Sequence, residues 1–280
     1  MSVVPVRNAS FQAAVVLLAV FLCGFLVWTA SADTAAPRTH AGPRPTQDDA
    51  GQPPEVEGSF EGVTTPPTAQ PPAATPGPKV PTLLQSKTGR TDPGKWVALT
   101  FDDGPWNTYT PQVLGILKQY GIKATFCVVG NQAKALPGQI REIVAQGHTL
   151  CNHTMSHDTE MPTRTPEEMR AQMQQTLDAI HAAVPGVPVP WYRAPGGMWS
   201  VQVQEVAASL EMRSLGWTVD TLDWRKPGVD KMMQTVHSQL GPGGVILMHD
   251  GGGDRTQSVE CLRRLIPELL AQGYQFTVPV

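Results

Sequence analysis

Five short runs in this 280-residue chain carry side chains that could do chemistry. Asp102 and Asp103 close an apolar run and are followed by Gly104-Pro105. Adjacent residues of a regular strand point to opposite faces, so two neighbouring carboxylates can serve one site only where the strand breaks, and Gly-Pro breaks it here. One acid could then hold a metal while the other moves protons. A solvated turn capped by an aspartate would show the same residues. His153 and His157 stand four apart in His-Thr-Met-Ser-His, a spacing that places two imidazoles on one face of a helical turn. Two histidines and a carboxylate suit a hydrolytic zinc site, and equally a facial triad of another divalent metal. Arg193 follows Trp191-Tyr192 and precedes Ala-Pro-Gly-Gly197; its planar fork can orient a carboxylate but cannot act as a base. Asp220-Thr-Leu-Asp-Trp224 adds two acids and an indole, and Leu247-Met-His-Asp250 ends an apolar run with His249. Each run alone has an ordinary structural explanation. In succession they supply a metal triad, a spare acid, an arginine, a further acid and a further histidine. His40, His148, His181 and His237 have no such pattern and read as linker, turn or surface residues.

The elements that must position these groups alternate from about residue 93 onward. Strand candidates are Trp96-Thr100, Ala124-Val129, Thr149-Asn152, Trp191-Arg193, Met212-Trp217, Gly244-Met248 and Tyr274-Thr277. Between them lie amphipathic helices with their own punctuation. Thr110-Pro111 reads as an N-cap and first-turn proline, and Gly121 as the stop. Thr165-Pro-Glu-Glu168 reads as a capping box ahead of Met169, Met173, Leu177 and Ile180. A last helix is expected from about Gln257 to Gln272, stopped by Gly273. Seven strands and about six helices are too few for a complete eight-fold barrel, so the expected fold is α/β, a distorted or incomplete (β/α) barrel of about seven strands. In that architecture chemistry sits on loops that follow strands, where the five runs fall.

The rest of the chain is of a different kind. Residues 1–32 read as a signal peptide or an N-terminal membrane anchor, with apolar residues 13–28 followed by Ala30-Ser31-Ala32. Residues 33–92 hold close to half of the 27 prolines and read as a disordered linker, leaving 93–280 as the catalytic domain. The expected location is extracytoplasmic, secreted or held at a membrane by 13–28. Beyond Cys23 in the export segment, Cys127, Cys151 and Cys261 allow at most one disulfide; Cys127 and Cys151 fall on neighbouring strand candidates, as a buried thiol pair or a bridge. A net charge of −3 without a basic stripe gives no footprint for nucleic acid and suits a neutral glycan partner. A monomer is expected.

The five runs, in this order across residues 94–278, resemble the polysaccharide deacetylases that share the NodB homology domain, carbohydrate esterase family 4. The resemblance implies that Asp103, His153 and His157 hold a divalent metal, usually zinc, and that Asp102 is the general base, positioned by Arg193. It implies that His249 is the general acid, tuned by Asp223, and that Trp224 and Leu247 line the acetyl pocket. The implied reaction is attack of metal-activated water on the acetyl group of an N-acetylglucosamine polymer, such as peptidoglycan or chitin, or of O-acetylated xylan. The backbone amide of Gly196 would help to hold the oxyanion. Gly196 departs from the family, which commonly has an aromatic residue there, and Trp199 is a candidate replacement or a packing residue. Asp158 reads as a cap of its turn. A catalytically inactive carbohydrate-binding relative is the alternative, although no matched position is lost; a phosphoesterase would want a second metal or more cationic clamps.

Overall fold

β1 (Lys95–Asp102) is the axis of the molecule, and its side chains alternate between two destinations. Val97, Leu99 and Phe101 enter the layer of helices, where Phe101 stacks on Phe126 with ring centroids 5.3 Å apart. Thr100 and Asp102 face the other way. Parallel register carries that alternation across the sheet: Asp102 is paired with Cys127 on one side and His249 on the other, and Thr100 with Thr125 and Leu247. One face of the sheet therefore collects apolar side chains, each worth about 1.5–3 kcal/mol when buried, and the other collects the chemistry.

The structure, a computed structural model, describes residues 84–280. The apolar segment 13–28, Cys23, His40 and the greater part of the expected linker lie outside the described residues. After β1 come α1 (Thr110–Gln119), β2 (Thr125–Val128), α2 (Gly130–Ala135), α3 (Pro137–Ala145) and β3 (Thr149–Asn152). Next are α4 (Pro166–Ala183), β4 (Trp191–Tyr192), α5 (Val201–Ser209), β5 (Arg213–Ser214) and β6 (Val219–Asp220). The chain ends with α6 (Val229–Gln239), β7 (Gly244–His249), α7 (Thr256–Ala271) and β8 (Tyr274–Thr277). All pairings between these strands are parallel, in the order β5-β4-β3-β2-β1-β7-β6. β8 joins β1 at Lys95–Ala98, on the side that β2 occupies at Thr100–Asp102. Among the described residues no ladder links β5 to β6, so the barrel is incomplete, as expected.

Each expected strand is present, and β6 is an addition. Its two residues are too few for alternation to show in sequence. The capping box at Thr165 and Glu168 is present. Thr110, expected as an N-cap, is instead the first residue of α1: Tyr109 is the cap, and the Thr110 hydroxyl serves the buried Asp250. His148, expected at a turn or surface, is buried and accepts from Ala124 N–H at 3.1 Å, with burial first and Lys123 second lowering it to about 4. Cys127 and Cys151 are register partners on β2 and β3 and form a disulfide beneath Trp191 and Leu215, while Cys261 is free and buried.

Candidate active site

The strand break expected after the first acid is present: β1 ends at Asp102, and Asp103 adopts a left-handed conformation with φ 71°. That turn lets both carboxylates face one cavity of about 510 Å³. Asp102, Asp103, His153, His157, Gly196, Trp224, Leu247 and His249 all line it. Arg193 and Asp223, the other two sequence candidates, lie buried behind it.

Asp103, His153 and His157 place one potential ligand atom each within 4.8 Å of one another. His153 Nε2 and His157 Nε2 lie 3.6 and 3.2 Å from Asp103 Oδ1, close to the ~3.3 Å edge of a tetrahedron with metal–ligand bonds of ~2.0–2.1 Å. Asp103 Oδ1 is buried and has no hydrogen-bond partner, a condition that a cation would relieve. The protonation states also fit. Burial alone would raise Asp103, but His153 foremost, then His249 and His157, hold it at about 2. Burial, then His153, lower His157 below the ordinary range and favour the neutral ligand form. His153 Nδ1 lies 2.7 Å from the Arg193 carbonyl, which can only accept, so Nδ1 carries a proton and Nε2 is the nitrogen turned to the metal position. The residues thus fit a single divalent metal.

The two histidines do not share a helical turn as their spacing suggested. Residues 153–158 form an irregular loop in which Thr154 and His157 are left-handed, with φ 64° and 57°, and the rings meet edge to face with centroids 5.1 Å apart. Asn152 Oδ1 accepts from Thr154 N–H, and Gln172 Oε1 accepts from Met155 and Ser156 N–H, which fixes this loop.

Arg193 and Asp102 form a buried pair. The Arg193 guanidinium donates to Asp102 Oδ1 at 2.7 Å, Thr100 Oγ1 at 2.9 Å, Leu215 O at 3.0 Å and Gly216 O at 3.1 Å. Asp102 Oδ2 lies 3.7 Å from His153 Nε2, turned toward the metal donors. On the other side of Asp102 in the sheet order, His249 donates from Nδ1 to Asp223 Oδ1 at 2.7 Å, while Asp223 Oδ2 accepts from His249 N–H and Ser258 Oγ. Burial alone would lower His249. The hydrogen bond and charge of Asp223, then the charges of Asp102 and Asp103, outweigh it and push the imidazole up to about 9.

Trp224 is 45% exposed at the cavity rim, with the Arg225 guanidinium 4.6 Å from its ring centre. Gly196, with φ 61°, presents backbone only. Trp199 packs edge to face on Tyr192, the packing role. Asp158 caps its turn through Glu160 N–H and pairs with Arg164. Sequence reasoning missed three contributors. Trp217 lines the cavity. Arg255 is buried, with one guanidinium nitrogen 3.9 Å from Asp103 Oδ2. Asp250 is fully buried against Gly104 and raised by burial to about 7. Position directly after His249 was the one signal for Asp250; nothing local marks the other two.

The family model described as polysaccharide deacetylase matches residues 89–215. A chitooligosaccharide deacetylase of Sinorhizobium fredii is 39% identical over 188 residues, covering 64% of this chain and 87% of that protein. A peptidoglycan-N-acetylglucosamine deacetylase of Bacillus cereus is 36% identical over 185 residues, covering 65% and 85%. Among solved structures, a family 4 carbohydrate esterase pseudoenzyme from Bacillus anthracis is 34% identical with a TM-score of 0.61, covering 65% of this chain and 63% of that one. The chain belongs to the polysaccharide deacetylase family, carbohydrate esterase family 4.

Proposed function

We propose that this chain is an exported, metal-dependent hydrolase that removes acetyl groups from an N-acetylglucosamine polymer of the peptidoglycan or chitin kind, or from O-acetylated xylan. The observation that carries the reading is the divided role of Asp102: Oδ1 is locked by Arg193 while Oδ2 faces the donor triad. A divalent metal, zinc foremost, held by Asp103, His153 and His157 would supply Lewis acidity that lowers the pKa of water toward about 7 and polarises the acetyl carbonyl. Asp102 Oδ2 takes the proton of the attacking water. His249, charged at neutral pH, gives a proton to the leaving nitrogen or oxygen, a step worth roughly 10²–10⁴-fold. Trp224 and Leu247 bound the space for the acetyl group, and the Gly196 backbone is free of a side chain that would screen its amide from the oxyanion.

Export is supported by the apolar segment 13–28 and by the Cys127–Cys151 disulfide, a bond of oxidising compartments. The inactive carbohydrate-binding alternative is disfavoured because the metal donors, the base and the acid are all in place. Acetate release by the purified full chain on chitin oligomers, peptidoglycan and acetylxylan tests the reading. Turnover on at least one supports it, and glycan binding without turnover on any, with metal bound, sinks it.

A further inference from the structure

Leu84–Thr88 stands outside the five catalytic runs yet bonds the stretch that holds Arg193. It enters the gap that the sheet leaves beyond β5. Gln85 N–H donates to Ser214 O at 2.9 Å, and Gln85 O accepts from Gly216 N–H at 2.8 Å, a parallel bridge to Leu215. Lys87 then bridges Gly244 at the start of β7, and Thr88 N–H donates to Gly243 O at 2.9 Å. The end of the chain clamps the segment: Gln85 Nε2 donates to Val280 O at 3.0 Å, and Val280 N–H donates to Thr88 O at 2.9 Å.

Of the two peptides that Gln85 holds, Leu215–Gly216 gives its carbonyl to Arg193, and the carbonyl of the next peptide, Gly216 O, is the second acceptor. Leu215 O and Gly216 O accept from the Arg193 Nε and one terminal nitrogen, leaving the other to aim at Asp102. β5 is two residues long and, among the described residues, pairs as a strand with β4 alone, so its outer edge depends on this added bridge. Gly216 also abuts the segment: a Cβ there would lie 2.6 Å from Ser86 Oγ and 3.1 Å from Leu84 Cγ. Trp217, the next residue, lines the cavity.

We infer that Leu84–Thr88 is a positioning segment of the catalytic site, fixing the Leu215 and Gly216 carbonyls and through them the guanidinium of Arg193 that orients Asp102. This rests on the deacetylase reading for its kinetic consequence only. Gln85→Pro in the full chain removes the N–H that Ser214 needs. It should lower kcat about 10-fold with KM within about two-fold and metal content retained, the size of one lost ~1.4 kcal/mol contact. In an Arg193→Lys background the same substitution should cost less than about two-fold more, because the path through Arg193 is already altered. Gly216→Ala should show a similar loss, and Ser86→Gly in the same chain should recover most of it. Full multiplication of the Gln85→Pro and Arg193→Lys effects, or no recovery by Ser86→Gly, overturns the inference. The Arg193 Nε–H signal in nitrogen-correlated NMR gives a readout independent of turnover. Its protection by Leu215 O should fall in Gln85→Pro, and unchanged protection would overturn the inference even in a chain that releases no acetate. Lack of acetate release by wild type with this coupling intact would instead sink only the functional reading.

Discussion

Two buried carboxylates flank the same cavity and differ mainly in their partners. Asp102 is paired with Arg193, a cation that does not give up its proton in a protein; Asp223 is paired with His249, a cation that can. The first pair keeps a carboxylate in a fixed orientation with one oxygen free, which makes a proton acceptor. The second keeps an imidazole charged and aligned, which makes a proton donor. The same acid thus serves opposite ends of one reaction, and the basicity of its partner decides which end.

The comparison breaks most severely at Arg193. Arg193→Met should leave the Asp102 charge and the Leu215 and Gly216 carbonyls buried without their donor, costing about 3–5 kcal/mol in urea unfolding together with nearly all turnover. A chain as stable as the parent would show that this pair is not the anchor of its flank.

Asp223→Asn should act on the other flank through pH. His249 lies at about 9 when folded and near 6.5 when unfolded, so its stabilising contribution is complete below about 6.5 and is lost as pH rises through about 9. Turnover that needs the charged imidazole should fall on that same alkaline limb. Removing the Asp223 charge should move the limb to lower pH in a kcat–pH profile; an unmoved limb would detach Asp223 from the acid.

The smallest effect belongs to Ser258→Ala, which removes one hydrogen bond from Asp223 Oδ2. It should cost about 1 kcal/mol in the same unfolding measurement and shift the alkaline limb slightly upward, because Asp223 without that donor holds the His249 proton more tightly, with metal content unchanged. A loss of metal would show that the two flanks are not separate.

Much of this site was legible because strand periodicity and strand ends are written locally. Asp102 and Asp103 stand at a Gly-Pro break, and His249 closes an apolar run, so their placement followed from alternation together with the break that ends it. The loop carrying His153 and His157 was misread as a helical turn because a four-residue spacing does not reveal two left-handed residues; the side chains of Asn152 and Gln172 decide that geometry. β6 is too short to show a period, and Arg255 is buried by tertiary packing that no neighbouring residue announces. Gln85 and Lys87 close a prolyl-rich stretch whose composition masks their pairing with the sheet.

The division of labour between the adjacent acids is tested most directly by metal analysis and acetate release on Asp102→Asn beside His153→Ala. Asp102→Asn should retain the metal content of the parent and lose roughly 10²–10⁴-fold in kcat, while His153→Ala should lose metal and turnover together. Metal loss in Asp102→Asn, or parental turnover with the amide in place, would contradict the assignment of the proton to Asp102 and the metal to Asp103.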